Sequence, residues 1–398
     1  MNSNIKNKNI VLGVTGSIAC YKSVMLASLL VQQGANVDVI MTPSAQKFIQ
    51  PATFRAITRR DVVTDFFDAN SPLGLDHISL AQKDAVIVAP ATANTIAKMA
   101  HGFSDDPLTC TVLATTGPVI IAPAMETHMY QNFIVQENIQ KLKENGFIIL
   151  GPEKGYLASG DIGVGRMTEP DEILEHLNVV FGENGDFSRL RVLVTAGGTQ
   201  EKIDAVRFLA NRSSGKMGYA VATAARDRGA KVTLITTPTN LEVPKGVDTV
   251  FVDTALDMCQ EVKSHCAKND VLVMAAAVAD WRAQKSVEHK MKKGKQQVWN
   301  LEMIRNPDIL TEIINEDLFK VGFAAETEDI IENALQKLIS KKLNLIVAND
   351  ISGENTTFNS DENEVYIITR EKGKKLPLMS KKDVANKILD KIKQLLAK

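Results

Sequence analysis

The sequence predicts an α/β protein of two domains, each a doubly wound, mainly parallel sheet. Three observations predict it. Short apolar runs alternate with longer amphipathic ones between residues 9 and 370, and strands separated by helices imply βαβ units with both sheet faces covered. A strand, glycine turn and helix open each half, as VLGVTGSIACYK and VLVTAGGTQEKI. The length of 398 residues exceeds what one core usually supports. Ligands of such sheets sit at the C-terminal strand edge.

In the first half the β-like runs are NIVLGV (9–14), NVDVIM (36–41), DAVIVAP (84–90), PVIIAP (118–123) and GFIILG (146–151), with helical periods at 21–33 and 132–145. The polar, Gly-containing stretch VVFGENGDFSRL (179–190) has the composition of a boundary and divides the chain into 1–188 and 189–398. The alternation restarts with RVLVTAGG (191–198), KVTLIT (231–236), DTVFV (248–252), DVLVMAAA (270–277), KVGFAAE (320–326), NLIVAN (344–349) and EVYIITR (364–370). Residues 381–398 are Lys-rich and amphipathic, as expected of a packed, solvated helix.

A formal net charge of −1 argues against general affinity for nucleic acid or an anionic membrane, so local groups must hold any anionic ligand. Four scattered cysteines without a C-x-x-C pair fit a reducing compartment and form neither a disulfide framework nor a zinc site. With a polar N-terminus and no long apolar run, the expected location is the cytoplasm.

GVTGSIACYK places Gly13, Gly16 and Ser17 between strand and helix, where free backbone N–H groups attract phosphate. The next strand ends at Met41 and Thr42, without the acidic residue a dinucleotide ribose requires, which favours a mononucleotide. PATANT (90–95) offers Pro90, Thr92 and Asn94 in a loop, where Thr92 or Asn94 could equally cap a helix. His77 stands in LDHISL. GYLASGDIGVGRM (155–167) is too long for a tight turn and too Gly-rich for a helix.

In the second half, TAGGTQEKIDAVRFLANRSSGKMG (195–218) lacks the hydroxyl after lysine that a P-loop needs. In AAAVADWRAQKSVEHKMKKGK (275–295) an alanine-ended strand gives backbone access to a flat base or sugar, and Asp280 at its edge could hold a divalent cation. Lys290, Lys292 and Lys293 could neutralise a triphosphate or simply form a solvated loop.

GVTGSIACYK, DHISL, PATANT, PAMETHMY and GDIGVGRM resemble, in order, the flavin-dependent cysteine decarboxylases. With RFLANRSSGKMG, AAAVADW, KMKK, NPDIL, VGFAAET and LNLIVANDI added, almost the whole chain resembles the bifunctional phosphopantothenoylcysteine decarboxylase/phosphopantothenate–cysteine ligases of coenzyme A biosynthesis. The resemblance implies two Rossmann-like domains, a flavodoxin-like decarboxylase followed by a ligase. It further implies that FMN oxidises the cysteine moiety to a thioaldehyde, that CO2 leaves, and that the enethiolate is reduced to 4′-phosphopantetheine. His77 would be the base; Gly16, Ser17, Thr42, Pro90, Thr92 and Asn94 would hold FMN; Met125 and Glu126 would meet substrate under a glycine-rich flap. Three positions depart from the family pattern, Tyr130 in place of a tryptophan among them. Glu126 replaces an asparagine that binds the substrate carboxylate, and an ionised Glu126 would repel that group unless turned away. Ser159 replaces a cysteine that delivers a proton, and a serine hydroxyl is a far weaker acid; water or His77 could supply the proton instead.

For the ligase, the resemblance implies that CTP and Mg2+ (or Mn2+) convert the carboxylate of 4′-phosphopantothenate to an acyl-cytidylate, which the amine of cysteine attacks to give 4′-phosphopantothenoylcysteine. Asn211 would hold that intermediate and Lys290 would stabilise developing charge. Ala275, Ala276, Ala277, Asp280, Asn306, Pro307, Asp308, Ile309, Phe323, Lys337 and Lys341 would contact the nucleotide, and Asp280 the metal. The four-residue spacing of Lys337 and Lys341 lets both face one phosphate chain if the stretch is helical. A homo-oligomer is implied, decarboxylase trimers in a dodecamer joined by ligase dimers. Two other readings are a ligase with an impaired decarboxylase domain and a flavoprotein regulatory subunit.

Overall fold

The computed structural model describes residues 4–66, 76–292, 297–326, 328–350 and 360–397, except the side chains of Asp76, His77 and Asp350. The chain divides into two compact units, one through Val180 and one from Phe181 onward.

The first unit is built on β1 (Asn9–Val14), β2 (Asn36–Met41), β3 (Val62–Val63), β4 (Ala85–Ala91), β5 (Val119–Pro123) and β6 (Ile148–Ile149). Every pairing is parallel, in the order β3-β2-β1-β4-β5-β6. All seven residues of β4 are buried, as a strand covered on both faces requires. The helices are α1 (Cys20–Gln32), α2 (Pro51–Thr58), α3 (Asp76–Ala81), α4 (Ala93–His101), α5 (Pro107–Ala114), α6 (Thr127–Gln131), α7 (Phe133–Glu144) and α8 (Pro170–Gly182). Strand order reverses beside β1, so the ends of β1 and β4 open the crevice where doubly wound sheets take ligands. Thr15, just beyond β1, closes that edge: its hydroxyl donates to Pro90 O at 2.7 Å and accepts from Thr92 N at 3.1 Å.

Residues 155–167 are ordered as most of an antiparallel hairpin, β7 (Glu153–Tyr156) against β8 (Ile162–Arg166). α8 runs through residue 182, so part of the expected boundary stretch is helical; its apolar period, with Ile173 and Leu177 fully buried, carries it onward.

The second unit holds β9 (Arg191–Ala196), β10 (Gln200–Lys202), β11 (Phe208–Ala210), β12 (Lys231–Thr236), β13 (Asp248–Phe251), β14 (Val271–Met274), β15 (Trp281–Ala283), β16 (Met303–Arg305), β17 (Phe319–Glu326), β18 (Leu345–Asp350), β19 (Glu362–Asn363), β20 (Val365–Ile368), β21 (Gly373–Lys375) and β22 (Met379–Ser380). Its helices are α9 (Lys216–Asp227), α10 (Ala255–Cys266), α11 (Ile309–Glu312), α12 (Ile330–Ser340) and α13 (Lys381–Leu396). The main sheet runs β13-β12-β9-β14-β17-β18-β20-β21, parallel as far as β18 and antiparallel beyond it. β20 pairs antiparallel with β18, and a tight turn, closed by Thr369 N donating to Lys372 O at 2.8 Å, returns the chain from β20 into β21. α13 buries Val384, Ile388, Leu389 and Ile392 in the core that also takes Tyr219, Val221 and Ala222 of α9. Each of these large aliphatic side chains contributes roughly 1.5–3 kcal/mol.

Candidate functional site

The first unit carries two cavities at the C-terminal edge of its sheet, of 660 and 530 Å³, both lined by Ser17, Ala124 and Met125. The larger also takes Gly16, Thr42, Thr92 and Asn94, five of the six residues expected at a flavin with Ser17 counted. Pro90 does not line it; its carbonyl accepts the Thr15 hydroxyl behind it. Gly16 has no room for a side chain, since a Cβ there would stand 2.4 Å from Ser44 Cβ. Thr42 Oγ1 accepts from Ala45 N at 3.3 Å. Thr92 caps α4, accepting from Thr95 N, while Asn94 is exposed to the cavity. The helix-cap reading thus holds for Thr92 without removing it from the cavity. Asp38 is buried and ion-paired to Arg60 and Lys83.

The smaller cavity lies under the hairpin and includes Glu126, Tyr156, Ser159 and Arg166. Met125 N donates to Gly165 O at 3.0 Å, fastening the hairpin to the segment after β5. A Cβ on Gly165 would stand 2.1 Å from Met125 O, so glycine alone permits this approach. Ser159 is exposed in the turn. Glu126 is the N-cap of α6: Oε2 accepts from His128 N at 2.7 Å and Met129 N at 3.2 Å. One of its two carboxylate oxygens is thereby engaged by the helix amides, whose dipole offsets part of the charge. Lys22 has only 4% of its side chain exposed and donates to Met167 O at 2.6 Å and Glu169 at 2.9 Å. Burial pushes the Glu169 carboxyl up, but hydrogen bonds from Lys22 and Arg166 outweigh it and hold the group below its usual range. His77 belongs to α3 by its backbone, and its side chain lies outside the described residues.

The second unit carries one cavity of 580 Å³ at its own C-terminal edge. Ala275–Ala277 leave the sheet after β14, held by Ala276 N donating to Thr195 Oγ1 at 3.1 Å and Ala277 N to Gly197 O at 2.8 Å. They line the cavity with Asp280, Phe323, Lys337 and Asn211, whose amide donates to Val278 O at 3.1 Å. α9 begins here: Gly215, at φ 76°, starts the helix, and Ser213 to Lys216 line the cavity beside its free amides. Lys337 Nζ lies 2.5 Å from Glu326 Oε1.

The remaining expected residues fall elsewhere. Asn306 is buried, donates to Ala279 O at 2.8 Å and accepts from Arg282 at 2.9 Å, bracing the loop that presents Asp280. Pro307 follows it outside the lining, and Ile309 is core. Asp308 pairs with Lys341 at 3.0 Å, and Lys341 lines a different cavity from Lys337. Lys290 is exposed on a loop whose Met291 N donates to Asp204 Oδ2 at 3.2 Å, and it does not line the cavity. Lys293 lies outside the described residues.

Sequence reasoning missed Lys381 and Asn349. Lys381 opens α13, lines the cavity and is only 8% exposed; burial, then the charge of Lys216, pushes its ammonium below the usual range. Asn349 Oδ1 is buried beside the cavity without a hydrogen-bond partner, an acceptor waiting for a ligand donor. Lys381 carried no local motif, whereas Asn349 stands within LNLIVANDI without having been singled out there. Among the described residues no three His, Cys, Asp or Glu side chains group to hold a metal. Asp280, the acidic residue in the lining, suits an ion held mostly by phosphate oxygens. No helix among the described residues is long and apolar enough to cross a membrane.

Comparison with known proteins agrees with both units. The Flavoprotein family matches residues 1–181, and the DNA/pantothenate metabolism flavoprotein C-terminal domain matches residues 187–396. The chain is 46% identical to the coenzyme A biosynthesis bifunctional protein CoaBC of Bacillus subtilis, over 98% of each chain. It is 41% identical to that of Haemophilus influenzae, again over 98% of each. The chain belongs to the bifunctional coenzyme A biosynthesis family, enzymes that join a phosphopantothenoylcysteine decarboxylase to a phosphopantothenate–cysteine ligase.

Proposed function

We propose that the ligase runs first, in residues 189–398, and hands its product to an FMN-dependent decarboxylase in residues 1–188. The observation that carries the ligase reading is the 580 Å³ cavity, where the α9 N-terminus, Lys216 and Lys381 converge on space fit for a triphosphate. In this reading the carboxylate of 4′-phosphopantothenate attacks the α-phosphorus of CTP, pyrophosphate leaves, and the cysteine amine then displaces CMP. Positioning and charge neutralisation suffice, so no covalent nucleophile is needed. Asn211 positions the acyl-cytidylate, Asn349 Oδ1 accepts a hydrogen bond from the nucleotide, and Asp280 shares Mg2+ with the phosphates. Asn306 acts by fixing the Asp280 loop.

The larger cavity of the first unit offers the neutral donors Ser17, Thr42, Thr92 and Asn94, with Lys98 in the lining tied to Asp105 and Asp106, a set fit for a mononucleotide phosphate. FMN there would supply the oxidation of the cysteine moiety and the final return of electrons. His77 removes the proton that oxidation requires, and the hairpin carrying Ser159 excludes water. The second reading, a ligase with a slow decarboxylase, rests on Ser159, whose hydroxyl is a poor proton donor. A homo-oligomer in the cytoplasm completes the proposal.

Purified protein supplied with 4′-phosphopantothenate, cysteine, CTP and Mg2+ tests it, with pyrophosphate, CO2 and 4′-phosphopantetheine followed separately. All three are expected. Pyrophosphate without CO2 sinks the decarboxylase half, and absence of pyrophosphate sinks the ligase.

A further inference from the structure

The opposite, N-terminal edge of the second sheet holds a cavity that neither reaction uses. It measures 300 Å³ and lies among the first residues of β17, the chain after α11 and the turn after α12. Lys320, Lys341, Lys342 and Arg370 line it against one acidic residue, Glu316. Lys341 is paired with Asp308 at 3.0 Å. Among the described residues no ion pair engages Lys320, Lys342 or Arg370.

Lys320 is the informative group. It is 6% exposed, and its ammonium donates one hydrogen bond, to Ile313 O at 3.2 Å. An ammonium has three protons to donate. Two are therefore left without a protein acceptor on a buried charge, an arrangement costly unless an anion completes it. Burial, and then the charge of Lys342, hold this ammonium below its usual range. Leu310 and Ile313 form an apolar wall that keeps solvent from one side and strengthens any charge contact inside.

We propose that this cavity binds a compact oxyanion of the phosphate class, with Lys320 at its base and Lys342 and Arg370 at its rim. The site is separate from the nucleotide cavity. β17 supplies Phe323 to that one and Lys320 to this one, about 10 Å apart along a parallel strand. Inorganic phosphate and pyrophosphate share the required chemistry, and pyrophosphate is also the leaving group of the proposed ligation.

The test is hydrogen–deuterium exchange on the full chain, titrated separately with phosphate and with pyrophosphate at constant ionic strength. Slower exchange is expected in residues 313–320 and 340–344, apart from any effect at 211–218. Protection by pyrophosphate alone, or by both anions, identifies which is held and supports the site either way; so does protection by phosphate alone. Lys320→Met, and separately Lys342→Gln with Arg370→Gln, should each raise the apparent Kd roughly tenfold or more. Should Lys320→Met fail to fold, the double variant at exposed positions decides alone. No protection by either anion, protection confined to 211–218, or protection unchanged in the variants would overturn the proposal.

Discussion

Two sheets of similar design present cavities at the same edge, yet line them with different charge. Around the two cavities of the first unit the cations Lys22, Lys98 and Arg166 are matched by Glu126, Asp105 and Asp106. Lys22 and Arg166 are further tied to Glu169, and Lys98 to Asp105 and Asp106. The second unit gathers Arg212, Lys216, Lys337 and Lys381 around one cavity whose lining holds a single acidic residue, Asp280, with Lys216 tied to Asp361 and Lys337 to Glu326 beyond it. Neutral donors and backbone amides suffice for a single phosphate, whereas a triphosphate needs surplus positive charge. One architecture thus carries two differently charged linings, and on the proposed function each half should be breakable without the other.

The largest separation should come from Gly165→Ala. The added Cβ meets Met125 O, a backbone atom that cannot swing aside, so the hairpin must lift from the segment carrying Met125 and Glu126. Misplacement near 1 Å costs on the order of 100-fold in rate. CO2 release should fall by about that factor, with pyrophosphate release unchanged; equal loss of both would show that the two sites are not independent.

Lys381→Met is the converse. Methionine keeps the stem that fills the start of α13 and removes a charge beside Lys216. The KM for CTP should rise roughly tenfold, the worth of one charge-assisted contact. Decarboxylation of supplied 4′-phosphopantothenoylcysteine should not change.

These two positions also mark how far the sequence could be read. The apolar alternation located the parallel strands almost to the residue, because a strand buried on both faces is apolar throughout, as in β4. It failed where pairing is decided elsewhere. EVYIITR looks like any other strand of the alternation, but β20 pairs antiparallel with both β18 and β21. DVLVMAAA looks continuous, but the sheet ends at Met274 and the alanines become cavity wall. The lining of the larger first cavity was legible, because Gly16, Ser17, Thr42, Thr92 and Asn94 sit in strand-end motifs. Lys381 was not, since it is brought in by α13 from the far end of the chain. Lys337 and Lys341 were read as one phosphate clamp from their spacing, but Lys341 follows the end of α12 and turns to Asp308.

The second unit also carries an acid-sensitive ion cluster at its periphery. There Asp186 lies between Arg228 and Lys393, whose hydrogen bonds and charges bring its carboxyl from 3.8 to about 2. Because the folded value is depressed, the stabilisation is present above pH 4 and lost as pH falls from there toward 2, and solvent screening of this partly exposed cluster holds it to about 1 kcal/mol. Denaturant midpoints between pH 5 and pH 2.5 should therefore drop less in Asp186→Asn than in the parent. Parallel curves would remove this ion cluster from the account.

The smallest effect addresses Glu126, one of the positions at which the first unit departs from the pattern it resembles. Glu126 stabilises α6 through two backbone amides, and asparagine caps a helix about as well. Glu126→Asn should leave stability within about 0.5 kcal/mol, while Glu126→Ala should cost about 1 kcal/mol. If capping is all that Glu126 does, the asparagine variant decarboxylates like the parent. If the carboxylate still reaches the substrate from the wall of the 530 Å³ cavity, its replacement removes a like charge and KM for 4′-phosphopantothenoylcysteine falls. The geometry predicts the former, because the oxygen that faces the helix amides is already engaged and a neighbouring positive dipole offsets the charge that remains. A KM lowered several-fold at unchanged stability would show that the cap only partly screens Glu126.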